Sequence, residues 1–291
     1  MRFSKLGSAA AALVLAGSLA ACGGGDDEVE VATETDFEAG TTMAELSEAG
    51  TMTVGTKFDQ PGFGLLGLDD VPEGFDVEVA KIIAGAMGIA EEDIEWVEAT
   101  SDIREQVIED GDVDMVVATY TINDERKERV TFAGPYYEAG QMLMVAEDND
   151  SISGPEDIAD NPDMKVCSVT GSTPSENIRE YLANEDQLVL FDIYDKCADA
   201  LSNGQVDIVT TDNVILLGFV SESDGEFKLV GEQFTEEPYG IGIEKGDVEF
   251  CEFINETLQE NEEAYLAAWE RTAGEVEGTE APELPEPDEC V

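Results

Sequence analysis

Histidine is absent from this chain and basic residues are scarce: 14 lysines and arginines stand against 68 aspartates and glutamates, for a formal net charge of −54. The first absence excludes Ser-His-Asp and Cys-His catalysis and any zinc site built on imidazole. The second argues against nucleic acid and anionic membrane surfaces as partners, because such a chain repels polyanions. Long apolar runs are also missing. The stretch from Ala9 to Ala21 falls short of the roughly 20 apolar residues that a bilayer-spanning helix requires. No twelve-residue loop alternates Asp or Asn ligands before a closing Glu, so no calcium site is expected. Neither a metal nor a cofactor is called for.

The acidic residues are spread along the chain instead of gathered in one tail. They read as a solvated surface suited to a salty medium, since at ~1 M salt the screening length falls to about 3 Å and self-repulsion becomes tolerable. About 250 residues remain beyond the N-terminal segment, enough for one large domain or two modest ones with an ample core.

The N-terminus has its own logic. Arg2 and Lys5 precede the short apolar run, which ends Leu19-Ala20-Ala21-Cys22. This reads as an export signal and resembles the bacterial lipobox, which implies that residues 1–22 form a lipoprotein signal ending at Cys22, which becomes lipidated and then N-terminal. Gly23, Gly24, Gly25 and the acidic residues up to about 40 then read as a flexible tether. With Cys22 assigned to lipid, Cys167, Cys197, Cys251 and Cys290 remain. An even number in an exported chain suggests disulfides, with three pairings open. Joining neighbours in sequence favours Cys167–Cys197 and Cys251–Cys290. The latter would pin an acidic, Pro-rich tail that cannot fold by itself.

Strand and helix signals alternate. A short helix begins at Thr41 or Thr42 and a strand follows over 51–55. Helix 77–87, strand 94–97, helix 103–109 and a buried strand 113–118 come next. This order implies mostly parallel sheets with crossover helices, an α/β fold. The segment Gly111-Asp112-Val113-Asp114-Met115-Val116 is echoed by Gly204-Gln205-Val206-Asp207-Ile208-Val209. Thr119 and Asp212 hold the same offset past the two strands. Ligands of open α/β sheets bind beyond such strand ends, so the echo suggests two similar lobes facing one another across a cleft. Strands 141–145 and 239–243 are the expected crossovers, giving one lobe of 41–145 with 238–291 and a second of 146–237. A long amphipathic helix is expected over 249–271.

Gly74-Phe75-Asp76-Val77-Glu78-Val79, followed by Ile83, Ala84 and Met87, is similar to the signature of the family 3 solute-binding proteins, the polar amino-acid receptors of ATP-driven (ABC) importers. Thr119 to Arg126, Phe132 to Tyr137, Gly171-Ser172-Thr173 and Val206-Asp207 to Asp212 resemble further blocks of that family, and the resemblance spans roughly 45 to 272. It implies a two-lobed, type II periplasmic-binding-protein fold with two hinge crossovers and a ligand in the interlobe cleft. The implied partners are a free amino acid and the permease subunits of a transporter. Membrane contact would be through the N-terminal lipid only, with the chain exported, monomeric and not an enzyme.

A free amino acid presents a carboxylate and an ammonium, and burying both without partners would cost many kcal/mol. Arg126 offers a planar fork for the α-carboxylate, although it also reads as a solvated helix arginine. Thr173-Pro174-Ser175-Glu176 reads as a helix start with Thr173 as cap and Glu176 closing a capping box. Helix N-termini attract anions, and the resemblance implies that Ser172 and Thr173 donate to the ligand carboxylate. Asp212 is the candidate for the ammonium, or a cap for a helix beginning near Asn213, while Asp207 buttresses its strand. Thr119 and Thr121 would add bonds in the first lobe. Tyr120 would either cover the ligand or pack beneath it. The stretch Val54 to Gly64 looks like that of actinobacterial glutamate-binding members. It makes Lys57, with Gln60 beside it, the candidate for a side-chain carboxylate, the alternative being a surface lysine. Glutamate or aspartate is the first expectation, glutamine or asparagine the second. A dehydratase-like enzyme on the same fold, or the sensing subunit of a signalling receptor, is the rival.

Overall fold

A computed structural model describes residues 30–291 apart from Glu34; the lipobox-like motif, Cys22 and the first part of the expected tether lie outside the described residues. In chain order the strands are β1 (Met52–Thr56), β2 (Asp59–Gln60), β3 (Gly64–Leu66), β4 (Pro72–Glu73) and β5 (Ile94–Glu98). They continue with β6 (Met115–Val116), β7 (Thr131–Ala139), β8 (Gln141–Ala146) and β9 (Val166–Val169). The last are β10 (Leu188–Phe191), β11 (Ile208–Asp212), β12 (Phe227–Val230) and β13 (Glu237–Ile243). The helices are α1 (Thr42–Ala49), α2 (Phe75–Ala86), α3 (Arg104–Glu109), α4 (Asp124–Lys127) and α5 (Glu156–Ala159). They are followed by α6 (Thr173–Asn177), α7 (Tyr194–Ser202), α8 (Asn213–Glu222), α9 (Val248–Glu260) and α10 (Glu262–Glu270).

Two five-stranded sheets share one plan. Their orders are β5-β1-β6-β13-β7 and β10-β9-β11-β8-β12. In each the first three strands run parallel and the fourth is antiparallel to both of its neighbours. That fourth strand is the one reached by crossing over: β8 enters the second sheet directly after β7, and β13 returns to the first after β12. The passage therefore falls at Gly140, earlier than the expected boundary near 145, because all of Gln141–Ala146 is laddered into the second sheet.

The internal echo has a structural content. Asp114 Oδ2 accepts from the Thr53 amide at 2.7 Å, and Asp207 Oδ2 accepts from the Lys165 amide at 2.8 Å. Each aspartate thus ties the start of its strand to the segment entering the neighbouring parallel strand. In the two sheets Met115 lies opposite Val54 and Ile208 opposite Val166, so Thr119 and Asp212 emerge at equivalent strand ends.

Local chemistry sets the remaining boundaries. The Thr41 hydroxyl caps α1, and Gly50 ends it in the left-handed conformation. The helix expected from Val77 starts two residues earlier, at Phe75. Gly74 takes φ 132° there, and a Cβ on it would lie 2.3 Å from the Phe63 carbonyl oxygen. The long C-terminal helix is broken into α9 and α10 at Asn261, whose φ of −113° and ψ of 33° leave the helical range. Phe63, Phe75, Tyr137, Tyr239 and Trp269 pack edge-on or stacked around the crossover strands, with Tyr137 and Tyr239 directly paired. Such clusters bury 150–250 Å² per ring and make a stiff base for the hinge. Disulfides join Cys167 to Cys197 and Cys251 to Cys290. The second holds the tail on the first lobe, where Asp288 donates its amide to the Gly134 carbonyl and Thr131 Oγ1 donates to the Val291 carbonyl. No helix among the described residues is long and apolar enough to cross a membrane.

Candidate functional site

The strand ends converge on a small polar cavity between the lobes. Gln60, Ser101, Arg104, Thr119 and Thr121 line it from the first lobe; Ser172, Thr173, Tyr194, Thr211 and Asp212 line it from the second. Thr119 sits at φ 44°, a strained position for a β-branched residue, costing on the order of 1–3 kcal/mol. It is held there from both sides: its amide donates to Asp76 Oδ2 at 2.7 Å and its hydroxyl to Gln60 Oε1 at 2.9 Å. Asp76 also accepts from the Tyr136 hydroxyl at 2.6 Å. Burial pushes its carboxyl up to about 7, against the pull of those two hydrogen bonds.

Asp212 faces Thr119 across the cavity. Its Oδ2 accepts from the Tyr239 hydroxyl at 2.7 Å, while its buried Oδ1 has no partner among the described residues. Burial, and then the nearby charge of Glu237, push this carboxyl up to about 8; the Tyr239 bond opposes the shift. Asp212 occupies the N-cap position of α8 but makes no capping bond, so the capping alternative does not hold. Thr173 donates its hydroxyl to Glu237 Oε2 at 2.7 Å and lies 3.1 Å from the Thr121 hydroxyl, a contact that joins the lobes. With that hydroxyl engaged, the cap of α6 is Ser172, whose Oγ accepts from the Ser175 amide; Thr173 and a Glu176 capping box do not fill this role.

Three cations gather here. Arg104 is 2% exposed; its Nη1 donates to the Ala118 carbonyl at 2.8 Å, and its Nε is buried without a partner among the described residues. Lys57 is 3% exposed and so is no surface lysine. It nevertheless does not reach the cavity wall: Nζ donates to Ser101 Oγ at 2.9 Å and stands one layer behind it. Burial, and then the charge of Arg104, lower its ammonium to about 7. Arg126 lies outside the cavity, in an adjoining groove of about 620 Å³ that shares Ser101, Ser172 and Thr173 with it. Its Nη1 donates to the Thr121 carbonyl at 2.7 Å, its Nη2 to the Gly171 carbonyl of the second lobe at 3.0 Å, and its Nε lies 3.3 Å from Glu105 Oε1. Burial first, then Arg104, brings its pKa down to about 10.

Of the residues expected from sequence, Gln60, Thr119, Thr121, Ser172, Thr173 and Asp212 meet at one cavity. Tyr120 does not cover it. Its ring is fully buried, edge-on to Phe132, with the guanidinium of Arg104 4.2 Å and that of Arg126 5.2 Å from its centre. It is a floor under the two arginines, worth about 0.5–2 kcal/mol per cation. Four polar lining residues, Ser101, Arg104, Tyr194 and Thr211, were not expected from sequence; Pro174 and Ile215 complete the wall. Arg104 is one of only 14 basic residues in the chain, and that scarcity is the signal that could have found it. No cluster of metal-ligating side chains occurs among the described residues.

Residues 52–268 match the family model described as bacterial extracellular solute-binding proteins, family 3. The chain is 42% identical to the glutamate-binding protein GluB of Corynebacterium efficiens over 267 residues, covering 88% of this chain and 86% of that one. It is 38% identical to the ABC transporter glutamine-binding protein GlnH of Bacillus subtilis, covering 83% and 86%. Among solved structures, an ancestral arginine-binding protein bound to glutamine superposes with a TM-score of 0.71 at 35% identity, covering 77% of this chain and 97% of that one.

Proposed function

The chain belongs to the bacterial extracellular solute-binding proteins, family 3, and on that premise we propose that it captures an acidic amino acid, glutamate first and aspartate next, between its lobes and delivers it to an ABC transporter permease. One observation carries this reading. Arg104 and Asp212 line the same cavity from opposite lobes, and each holds a buried polar atom without a partner among the described residues, one a donor and the other an acceptor. A buried donor and acceptor left unsatisfied each cost about 1–3 kcal/mol, more when charged. A zwitterion answers both needs.

In this reading Asp212 Oδ1 takes the α-ammonium, with Thr119 and Thr121 beside it. The α-carboxylate lies toward Arg126 and the hydroxyls of Ser172 and Thr173, which border both the cavity and the groove. The side-chain carboxylate meets Arg104, with Gln60 and Ser101 alongside; Lys57 adds its charge from behind Ser101. A glutamine side chain would leave that cationic end without a counter-charge, so the amides rank second. Closure by hinge rotation about Gly140 and the segment 231–236 brings the half-sites together, and the closed form docks on the permease. The relatives named above are binding proteins, and the reading contains no catalytic step. We further infer that the chain is exported, lipid-anchored through Cys22 and monomeric, and that its acidic surface suits high salt.

Thermal unfolding in high salt against a panel of amino acids tests this. A ligand at 100 times its dissociation constant adds about 2.7 kcal/mol of stability. Glutamate or aspartate is expected to raise the midpoint clearly; no response to any amino acid would overturn the reading.

A further inference from the structure

Helix α7 lacks a cap of its own. Ile193 stands at its N-cap position and offers no side-chain acceptor. The missing acceptor comes from the other lobe: Asp59 Oδ2, on β2, accepts from the Tyr194 amide at 2.6 Å, across 135 residues of sequence. Both residues are buried. A carboxylate at a helix N-terminus satisfies an otherwise orphan amide and meets the positive end of the helix dipole.

We propose that Asp59 is a closure latch, a first-lobe carboxylate that caps a second-lobe helix across the cleft and so seats Tyr194 against the ligand. The latch rests on the capture-and-closure reading above. Three features support it. Asp59 does not line the cavity, whereas its neighbour Gln60 does, so the two successive side chains divide the work of holding the lobe and facing the ligand. Pro61 continues the wedge: its carbonyl oxygen lies 2.6 Å from where a Cβ on Gly218 of α8 would stand, so only glycine admits this approach. Finally, Tyr194 lines the cavity, and its buried hydroxyl, near those of Ser172 and Thr211, has no well-aligned partner among the described residues, so a ligand senses where the ring is placed.

The latch also has leverage. Cys197 on α7 is bonded to Cys167 on β9, the strand that leads to Ser172 and Thr173. Drawing the start of α7 toward the first lobe therefore draws the second half-site with it. When the lobes part, the carboxylate and the amide both return to water, so their bond contributes to the closed form alone.

The test compares the parent chain with Asp59→Ala and Asp59→Asn. It uses calorimetric titration with L-glutamate, stopped-flow dissociation, and hydrogen exchange at the Tyr194 amide. Asp59→Ala is expected to weaken glutamate binding about tenfold, chiefly through faster dissociation. The glutamate-free melting midpoint should stay within about 2 °C of the parent, as expected for a bond absent from the open form. The Tyr194 amide should lose protection by about tenfold, the equilibrium worth of one charged hydrogen bond. Asp59→Asn, which keeps an acceptor oxygen, should stay within about threefold of the parent. The proposal is overturned if Asp59→Ala binds glutamate like the parent, or if its loss merely tracks a fall in the glutamate-free midpoint. It is equally overturned if the Tyr194 amide exchanges alike in both proteins. A parent that ignores glutamate would count against the functional reading instead, and the same exchange comparison, made with the amino acid that raises the parent's melting midpoint, would decide the latch.

Discussion

The cations of the outer surface and those of the cleft live under opposite rules. Outside, Lys81, Arg129, Arg179, Lys196 and Lys228 each meet a carboxylate. In a chain this acidic such a partner is seldom far, although Lys165 and Lys245 donate to backbone carbonyls instead, and water screens each exposed pair to about 0–1 kcal/mol. Inside, Lys57 and Arg104 lie buried with no carboxylate within bridging distance among the described residues, and Arg126 shares Glu105 while spending its other donors on carbonyls. With 68 acidic residues to choose from, the chain leaves its most expensively buried positive charges short of negative partners. The difference teaches that the cleft is built for an anion brought from outside.

The comparison breaks most sharply at Asp212. Replacing it with alanine leaves a ligand ammonium buried without a counter-ion, a loss of about 3–5 kcal/mol, so glutamate affinity should fall by roughly a hundredfold or more in calorimetry. Next comes Arg104→Met, which keeps the bulk and removes the charge. Glutamate binding should weaken by about 2–3 kcal/mol and glutamine binding by much less, so a competition titration should show preference moving toward the amide. An equal loss for both would assign Arg104 to the α-carboxylate.

Titration sharpens the contrast. The carboxyl of Asp212 is raised to about 8, so below that pH it holds a proton that an ammonium ligand must displace, and affinity falls as pH drops. The ammonium of Lys57 is lowered to about 7, so above that pH it is neutral and an anionic ligand must recharge it, and affinity falls as pH rises. Glutamate affinity should therefore peak between about 7 and about 8. Asp212→Asn should flatten the acid limb and Lys57→Met the alkaline one. The smallest effect belongs to the outside: Lys228→Ala, which frees Asp150, should move the melting midpoint by less than about 2 °C and leave glutamate binding unchanged.

How far the sequence carries depends on which physical rule each residue obeys. The Gly-x-Val-Asp echo located both strand ends because its aspartates tie strands together in the same way in both sheets. Tyr120 was not legible from alternation, because the bend at Thr119, with φ 44°, interrupts the extended backbone just before it; what turns its ring inward is packing against Phe132 beneath the two arginines. The cap of α6 moved from Thr173 to Ser172 because Glu237, 64 residues on, claims the Thr173 hydroxyl. The Asn261 break and the membership of β8 in the second sheet are tertiary choices of the same kind. Arg104 looked like one more polar residue at the start of a helix; only the meeting of α3 with the ends of β6 and β11 reveals it as a wall of the cavity.

The central claim is that the buried cations select a negatively charged side chain. Parallel calorimetric titrations of the parent chain with L-glutamate and L-glutamine, at pH 7.5 and high salt, test it most directly. The account predicts that glutamate binds at least about tenfold tighter, one charged hydrogen bond's worth of discrimination. Glutamine binding as tightly as glutamate, or more so, would contradict it.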